Sequence, residues 1–486
     1  MSRFTIVVLL LVVLMTPSAL EAKAKITIQN IDGPGVGFND LTLVPPIGGN
    51  TGITLGEQRL IAFNRAAEIW GETLNSDVEI IIRATFAPIT SDPCTATSAV
   101  LGQARAERIV ANFPNAPRPG VWYPIALANK LAGQDLAPGV ADIFAQFNSD
   151  VDSQQCLGSS DWYYGLDANH GNDIDLVVVL LHEFAHGLGM SGSVNLTTGA
   201  QTQGMPNVFE FNALDLGTGL HWDQMTAEQR RTSSTNTGNL VWDGPATRNA
   251  INRFLGPVTT LTVTSPPMLA RNYDIGSAAF GPRADLTALS GRIVEALDPA
   301  DAAGASTTDG CSAFTNASQV AGNIALVDRG SCTFVQKALN AQAANATGLV
   351  IVDNMRDTCT PPSLGGDNPS VRIPVISVNI NDGAALRGGL ADGVDATLRV
   401  DGSARAGASQ QGFARLYAPC TIAAGSSVHH WDVSAFPNLL MEPNISDDLK
   451  HVVDISVHQL IDIGWTATTN ESDAEPSGRR VLRRGR

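Results

Sequence analysis

The chain has 486 residues, of which 44% are hydrophobic and 16% charged, a composition that excludes wholesale disorder and allows several domains. A formal net charge of −16 excludes a nucleic-acid partner on electrostatic grounds, because phosphate binding requires a basic face. Six cysteines, an even number without C-x-x-C spacing, fit disulfides in an oxidising compartment rather than thiolate zinc sites.

Residues 1–24 read as a signal peptide: Arg3, then an apolar run from Thr5 to Met15, then Ala22-Lys23-Ala24 as a small-x-small cleavage site. That run is too short to span a bilayer comfortably, and no later segment approaches the length of a membrane helix, so a secreted protein is expected. Ile26 to Ile28 and Val78 to Ile82 read as β-branched strands. Between them, Thr54 to Leu74 places Leu60, Phe63, Ala67 and Trp70 at helical spacing. Gly33 to Gly37 lacks the strand–helix context of a phosphate loop and reads as a turn. Ile125 to Ala132 is a short helical stretch, and Trp162-Tyr163-Tyr164 reads as core packing.

Asp175 is positioned to cap a helix running to about Gly187, although its Val177-Val178-Val179 run suits a strand locally. Asp167, Asp173 and Asp175 precede this helix and are read as capping and solvated groups rather than a calcium site. Near Gly256 the texture changes. Ile324 to Val327 and Leu349 to Val352 read as buried strands flanking an alanine-rich helix from Phe334 to Ala344, a compact α/β unit. Ile455 to Ile463 forms a last amphipathic helix, and residues 467–486 read as a disordered basic tail.

The chemistry concentrates at Leu181-His182-Glu183-Phe184-Ala185-His186, an H-E-x-x-H pattern. On a helix, residues four apart share a face, so His182 and His186 can grip one zinc ion while Glu183 turns toward a water as general base. A catalytic zinc needs a third protein ligand and an open position. The extended motif would put that ligand at 192, which is Gly192, although Gly189 matches. His221, Glu210, His430 and its neighbour His429 are the remaining candidates. His221 reads as a surface histidine beside a packing tryptophan, and Glu210 as a partly exposed carboxylate. His170, His451 and His458 lack motif support.

The pattern His182-Glu183-x-x-His186-x-x-Gly189, followed far downstream by His430-Trp431 and Leu440-Met441, resembles the leishmanolysin branch of the metzincins, as does the closing Ile461-Asp462-Ile463-Gly464-Trp465. The resemblance implies His430 as third ligand and Met441 as the residue of a methionine turn beneath the metal. It also implies an insertion far larger than is usual in that family. The insertion resembles a protease-associated (PA) domain through Ile324 to Gly330, Cys332-Thr333-Phe334, Lys337 and Gly348 to Val352. Such domains are non-catalytic and modulate substrate access to exported peptidases.

The expected fold is therefore α+β: a zincin/metzincin-like catalytic domain interrupted by a small α/β PA-like domain. Its catalytic parts span 25–256 and 404–466, and the insertion 257–403. The expected activity is zinc-dependent endopeptidase cleavage of protein or peptide substrates, with His182, His186 and His430 as ligands and Glu183 as general base. Two alternatives stand beside it: a catalytically silent zincin-scaffold binding or adhesion protein, and a PA-containing aminopeptidase with two zinc ions. Sequential pairing of the cysteines is expected: Cys94–Cys156, Cys311–Cys332 and Cys359–Cys420.

Overall fold

A computed structural model describes residues 22–468, apart from 92, 97, 154, 159 and 355–358. The leader proposed for 1–24 lies outside the described residues up to position 21; Ala24 is buried, and its N–H donates to the Leu74 carbonyl. The basic tail from 469 onward also lies outside them. Its first residues differ from expectation: Thr466–Ala467 form a strand antiparallel to Leu74–Asn75, so the folded body extends past 466.

The protein is a mixed α/β structure. Its N-terminal sheet holds β1 (Ile26–Asn30), β2 (Ile80–Phe86), β3 (Gly102–Ala106) and β4 (Ile143–Phe147) in the order β1-β2-β4-β3. β1, β2 and β4 run parallel, and β3 lies antiparallel at the edge, with Ala104 opposite Ala145. Alternation along β2 buries Ile80, Ile82, Ala84 and Phe86 on one face, the period-two pattern of a one-sided strand.

Two helices cover that face. α1 (Leu55–Thr73) starts at a capping box in which Thr54 and Glu57 satisfy each other's backbone N–H groups. α2 (Leu176–Leu188) starts at Asp175, whose carboxylate accepts from Val177 N–H and Val178 N–H. The Val177–Val179 run is helical despite its strand propensity. The cap fixes the first turn, and nearly every side chain of α2 is buried, so packing overrides propensity. Trp70 of α1 donates its indole N–H to the Leu181 carbonyl at 3.0 Å, joining the two helices.

From Pro257 to Arg405 the chain builds a separate eight-stranded sheet. Its first and last strands along the chain, Pro257–Ser265 and Val394–Arg405, pair antiparallel, so the segment leaves and returns at one place. At its centre Ile324–Asp328 and Gly348–Val352 run parallel and are buried at every position. They read as continuous apolar runs because both faces are covered. Ala325, Val327, Leu349 and Ile351 pack with Ala338 and Ala341 of the helix Phe334–Ala343. The alternate residues pack with Leu261 and Leu386.

After the insertion, Ala414–Arg415 pairs with Leu240–Trp242, returning the chain to the first body. Residues before 256 and after 407 share one hydrophobic core. The three disulfides join Cys94 to Cys156, Cys311 to Cys332 and Cys359 to Cys420, the sequential pairing expected. Among the described residues, no helix is long and apolar enough to cross a membrane.

Candidate metal centre

α2 presents His182 and His186 on one face, and the returning chain brings His430 to them. The Nε2 atom of His430 lies 3.2 Å from Nε2 of His182 and 3.2 Å from Nε2 of His186. Each ring is oriented from behind by a backbone carbonyl facing its Nδ1. The partners are Leu440 at 2.7 Å for His182, Met190 at 2.8 Å for His186 and Ser426 at 2.7 Å for His430.

A carbonyl can only accept, so each Nδ1 carries the proton and each Nε2 is left with a bare lone pair. Three lone pairs facing one point repel unless a cation lies between them. Burial reinforces this: desolvation holds His182 down at about 3, and pushes His186 and His430 down as well. The rings are therefore neutral, the ligand form of imidazole. Three neutral imidazoles fit zinc, whose structural and catalytic sites favour nitrogen donors. Among the described residues this is the one cluster of histidine, cysteine and acidic groups whose donor atoms converge closely enough for an ion.

Glu183 is buried next to β3. Desolvation raises its carboxyl to about 8, opposed by a backbone hydrogen bond from Ala104. A cation among the three rings pulls in the other direction, favouring the carboxylate. A Cβ on Gly102 would come 3.1 Å from Glu183 Cγ and 3.0 Å from the Phe147 ring, so a larger residue there would press on the Glu183 side chain. Nothing in the motif pointed to Gly102.

The chain turns away after α2 at Gly189, where φ is +132° and a Cβ would meet Ile463 Cδ1 at 2.6 Å. At position 192 a Cβ would come 2.9 Å from His429 Nε2, so that place is filled by a neighbouring ring. His429 packs edge-on against Phe209 and is not one of the converging donors. The turn at 439–442 supports His182. Leu440 N–H donates to Asp454 Oδ2 at 2.6 Å and Leu439 N–H to Glu442 Oε1 at 2.7 Å, while the Leu440 carbonyl faces the His182 ring. Met441 is fully buried in this turn, and its carbonyl accepts from Trp431 N–H.

The other candidates lie elsewhere. His221 is partly exposed and pairs through Nε2 with Asp243 at 2.9 Å. Glu210, expected to be partly exposed, is fully buried: its carboxylate accepts from Asn207 N–H and from the Gln201 side chain and closes a capping box. His170 lies between two backbone carbonyls, those of Asp173 and Asp447. His451 pairs with Asp175 at 2.7 Å, buttressing the cap of α2, and His458 packs on Phe254. Asp167 and Asp173 serve as local acceptors for Tyr163 and for Asp161 N–H.

Residues 289–386 match the PA domain family, so the insertion contains a PA domain. Over 91 residues the chain is 41% identical to a probable lipoprotein aminopeptidase, LpqL, of Mycobacterium tuberculosis, covering 18% of each. It is also 41% identical over 87 residues to an aminopeptidase of Pseudomonas aeruginosa, covering 17% of this chain and 16% of that one. Over 86 residues it is 34% identical to the human ER degradation-enhancing alpha-mannosidase-like protein 3, covering 16% of this chain and 9% of that one. The chain thus spans less than a fifth of each of these relatives. Among solved structures, a zinc aminopeptidase from Bacillus subtilis shares 22% identity over 32% of this chain and 35% of that one, with a TM-score of 0.22. So partial a superposition does not define a common fold. Two of these three relatives are named as aminopeptidases, and none is named as a metzincin.

Proposed function

We propose that this chain is a zinc-dependent peptidase whose ion is held by His182, His186 and His430, with Glu183 as the general base. The carrying observation is the convergence of three imidazole Nε2 atoms, each left unprotonated because a carbonyl behind the ring accepts from Nδ1–H and holds the proton there. Zinc held there by His182, His186 and His430 would supply Lewis acidity to a scissile carbonyl and to an attacking water. Glu183 takes the proton from the attacking water and returns it to the leaving amine, a shuttle suited to a carboxyl beside a cation in a buried site. β3 is the outermost described strand of its sheet, and apart from Ala104, which bonds to Glu183, its outer edge can offer main-chain partners to an extended peptide.

The substrate is a protein or peptide. Of the two cleavage modes, removal of N-terminal residues is favoured by the names of two of the relatives, each 41% identical over 87 or 91 residues. Internal cleavage, within a metzincin-like fold, rests on the resemblance carried by His182-Glu183-x-x-His186-x-x-Gly189, His430-Trp431, Leu440-Met441 and the closing Ile461 to Trp465. One converging donor set among the described residues favours one ion rather than the two of the aminopeptidase alternative.

The test compares wild type with Glu183→Ala on casein and on leucine p-nitroanilide, with zinc content measured in parallel. Wild type is expected to hydrolyse the anilide, and the variant to lose about 10³-fold or more in rate with zinc still near one per chain. Undiminished hydrolysis by the variant overturns the role of Glu183. Cleavage of casein alone favours the endopeptidase, and zinc binding without any hydrolysis favours a silent binding protein.

A further inference from the structure

The loop between Asp40 and Glu57 is turned inside out. Leu41 to Gly56 contains no Asp, Glu, Lys or Arg, in a chain of net charge −16. Leu41 is 76% exposed, Leu43 79% and Ile53 57%, with Ile47 also exposed at the tip, whereas the polar side chain of Asn50 is fully buried. Pro45 and Pro46 are exposed between them. Nowhere else among the described residues do large exposed apolar side chains gather so densely.

This exposure is built, not frayed. The two arms pair through Val44 N–H to the Ile53 carbonyl and Leu55 N–H to the Thr42 carbonyl, both at 3.0 Å. The tip is tied down by Leu166 N–H to the Gly48 carbonyl at 2.7 Å, by Asn50 Nδ2 to the Tyr164 carbonyl at 2.8 Å and by Gln58 Nε2 to the Pro45 carbonyl at 2.8 Å. The hairpin turns the polar side chain of Asn50 to the body and presents Leu41, Leu43, Ile47 and Ile53 outward, with Thr42 and Thr51 as its exposed hydroxyls. That is the reverse of an ordinary surface loop.

We propose that this hairpin docks the protein on an electrically neutral lipid surface. Its large exposed apolar side chains number four, Leu41, Leu43, Ile47 and Ile53, against the roughly 20–30 residues a side that a stable protein interface buries. A second copy of the chain is thus a poor occupant. A lipid interface requires no complementary partner groups, and a tip without charges enters it with no ion to desolvate. The net negative charge of the chain directs it to neutral rather than anionic lipid. This inference does not depend on the peptidase reading.

The experiment is co-sedimentation of the protein, purified from culture medium, with phosphatidylcholine vesicles and with vesicles containing phosphatidylglycerol. Wild type is expected to sediment with phosphatidylcholine, and no better with the anionic mixture. The triple variant Leu41→Ser, Leu43→Ser, Ile53→Ser is expected to lose at least tenfold in partitioning at an unchanged melting temperature, since these side chains contribute little to the core. Absence of wild-type binding, equal binding by the variant or tighter binding to anionic vesicles each overturns the proposal. So does a wild-type dimer in analytical ultracentrifugation that the variant converts to monomer, which would make a second copy the occupant.

Discussion

Three backbone carbonyls, at Met190, Ser426 and Leu440, decide what the histidines can do. By holding the protons on Nδ1 they aim the lone pairs inward and fix the tautomers, the task that outer-sphere partners perform at metal centres generally. The histidines themselves are legible in the sequence, because H-E-x-x-H is a spacing with a mechanism. The carbonyls are not, since every residue has one and only the fold selects three. Glu210 shows the opposite failure: a carboxylate that looks like surface in the sequence caps a short helix in the core. At this scale the test is a pair of substitutions. His430→Ala is expected to reduce zinc to well below one per chain and abolish hydrolysis, whereas His221→Ala, which removes a contact with Asp243 away from the three rings, keeps both. Metal analysis after gel filtration reads the outcome, and zinc loss confined to His221→Ala refutes the ligand set.

Among the elements, α2 is where local propensity and tertiary packing disagree, and packing prevails. Its valine run favours a strand, but Asp175 at the cap, His451 behind Asp175 and the surrounding core hold a helix. The short helix Ile125–Ala132 is joined to the sheet by Asp142, which accepts from Ile81 N–H and from the Asn129 side chain, both at 2.8 Å. Burial raises the Asp142 carboxyl to about 6. A carboxyl raised above its unfolded value of 3.8 favours the fold while protonated, and that advantage is lost as pH climbs through 4 to 6. The loss is on the order of 3 kcal/mol once both states are ionised. Asp142→Asn removes the titration, so its melting temperature is expected to gain several degrees relative to wild type between pH 4 and pH 7. A difference that stays constant across that range, followed by scanning fluorimetry, rules out the assignment.

At the scale of the whole molecule the insertion is tied to the body more than once. Its two ends pair at Pro257 and Arg405, Cys359 is bonded to Cys420, and Gly366 N–H donates to Asp447 Oδ2 at 2.6 Å. The second and third ties fasten the 359–366 segment of the insertion to the returning chain that carries His430. Replacing Cys359 and Cys420 by serine is expected to lower stability by about 2–4 kcal/mol through the entropy of the opened loop. It is also expected to speed hydrogen exchange at Gly366 while the three-histidine cluster still binds zinc. Unchanged exchange at Gly366 shows instead that the carboxylate of Asp447 holds the segment by itself. Trp465 closes the body by donating its indole N–H to the Leu188 carbonyl at the end of α2, so the last helix and the metal helix are fixed together.

What the sequence by itself determined is what lies within a few residues: the H-E-x-x-H spacing, the cap at Asp175, the central strand–helix–strand unit of the insertion and an even set of cysteines. Such features act through local geometry and can be read from a linear string. His430 could be singled out only through a family resemblance, and the tertiary structure brings it to α2 across 244 positions; tertiary structure alone decided the carbonyl locks, the close approach of Gly102 to Glu183 and the outward face of the 41–56 hairpin. Those depend on chain segments being brought together by a shared core, and nothing in the spacing of residues along the chain records which segments will meet.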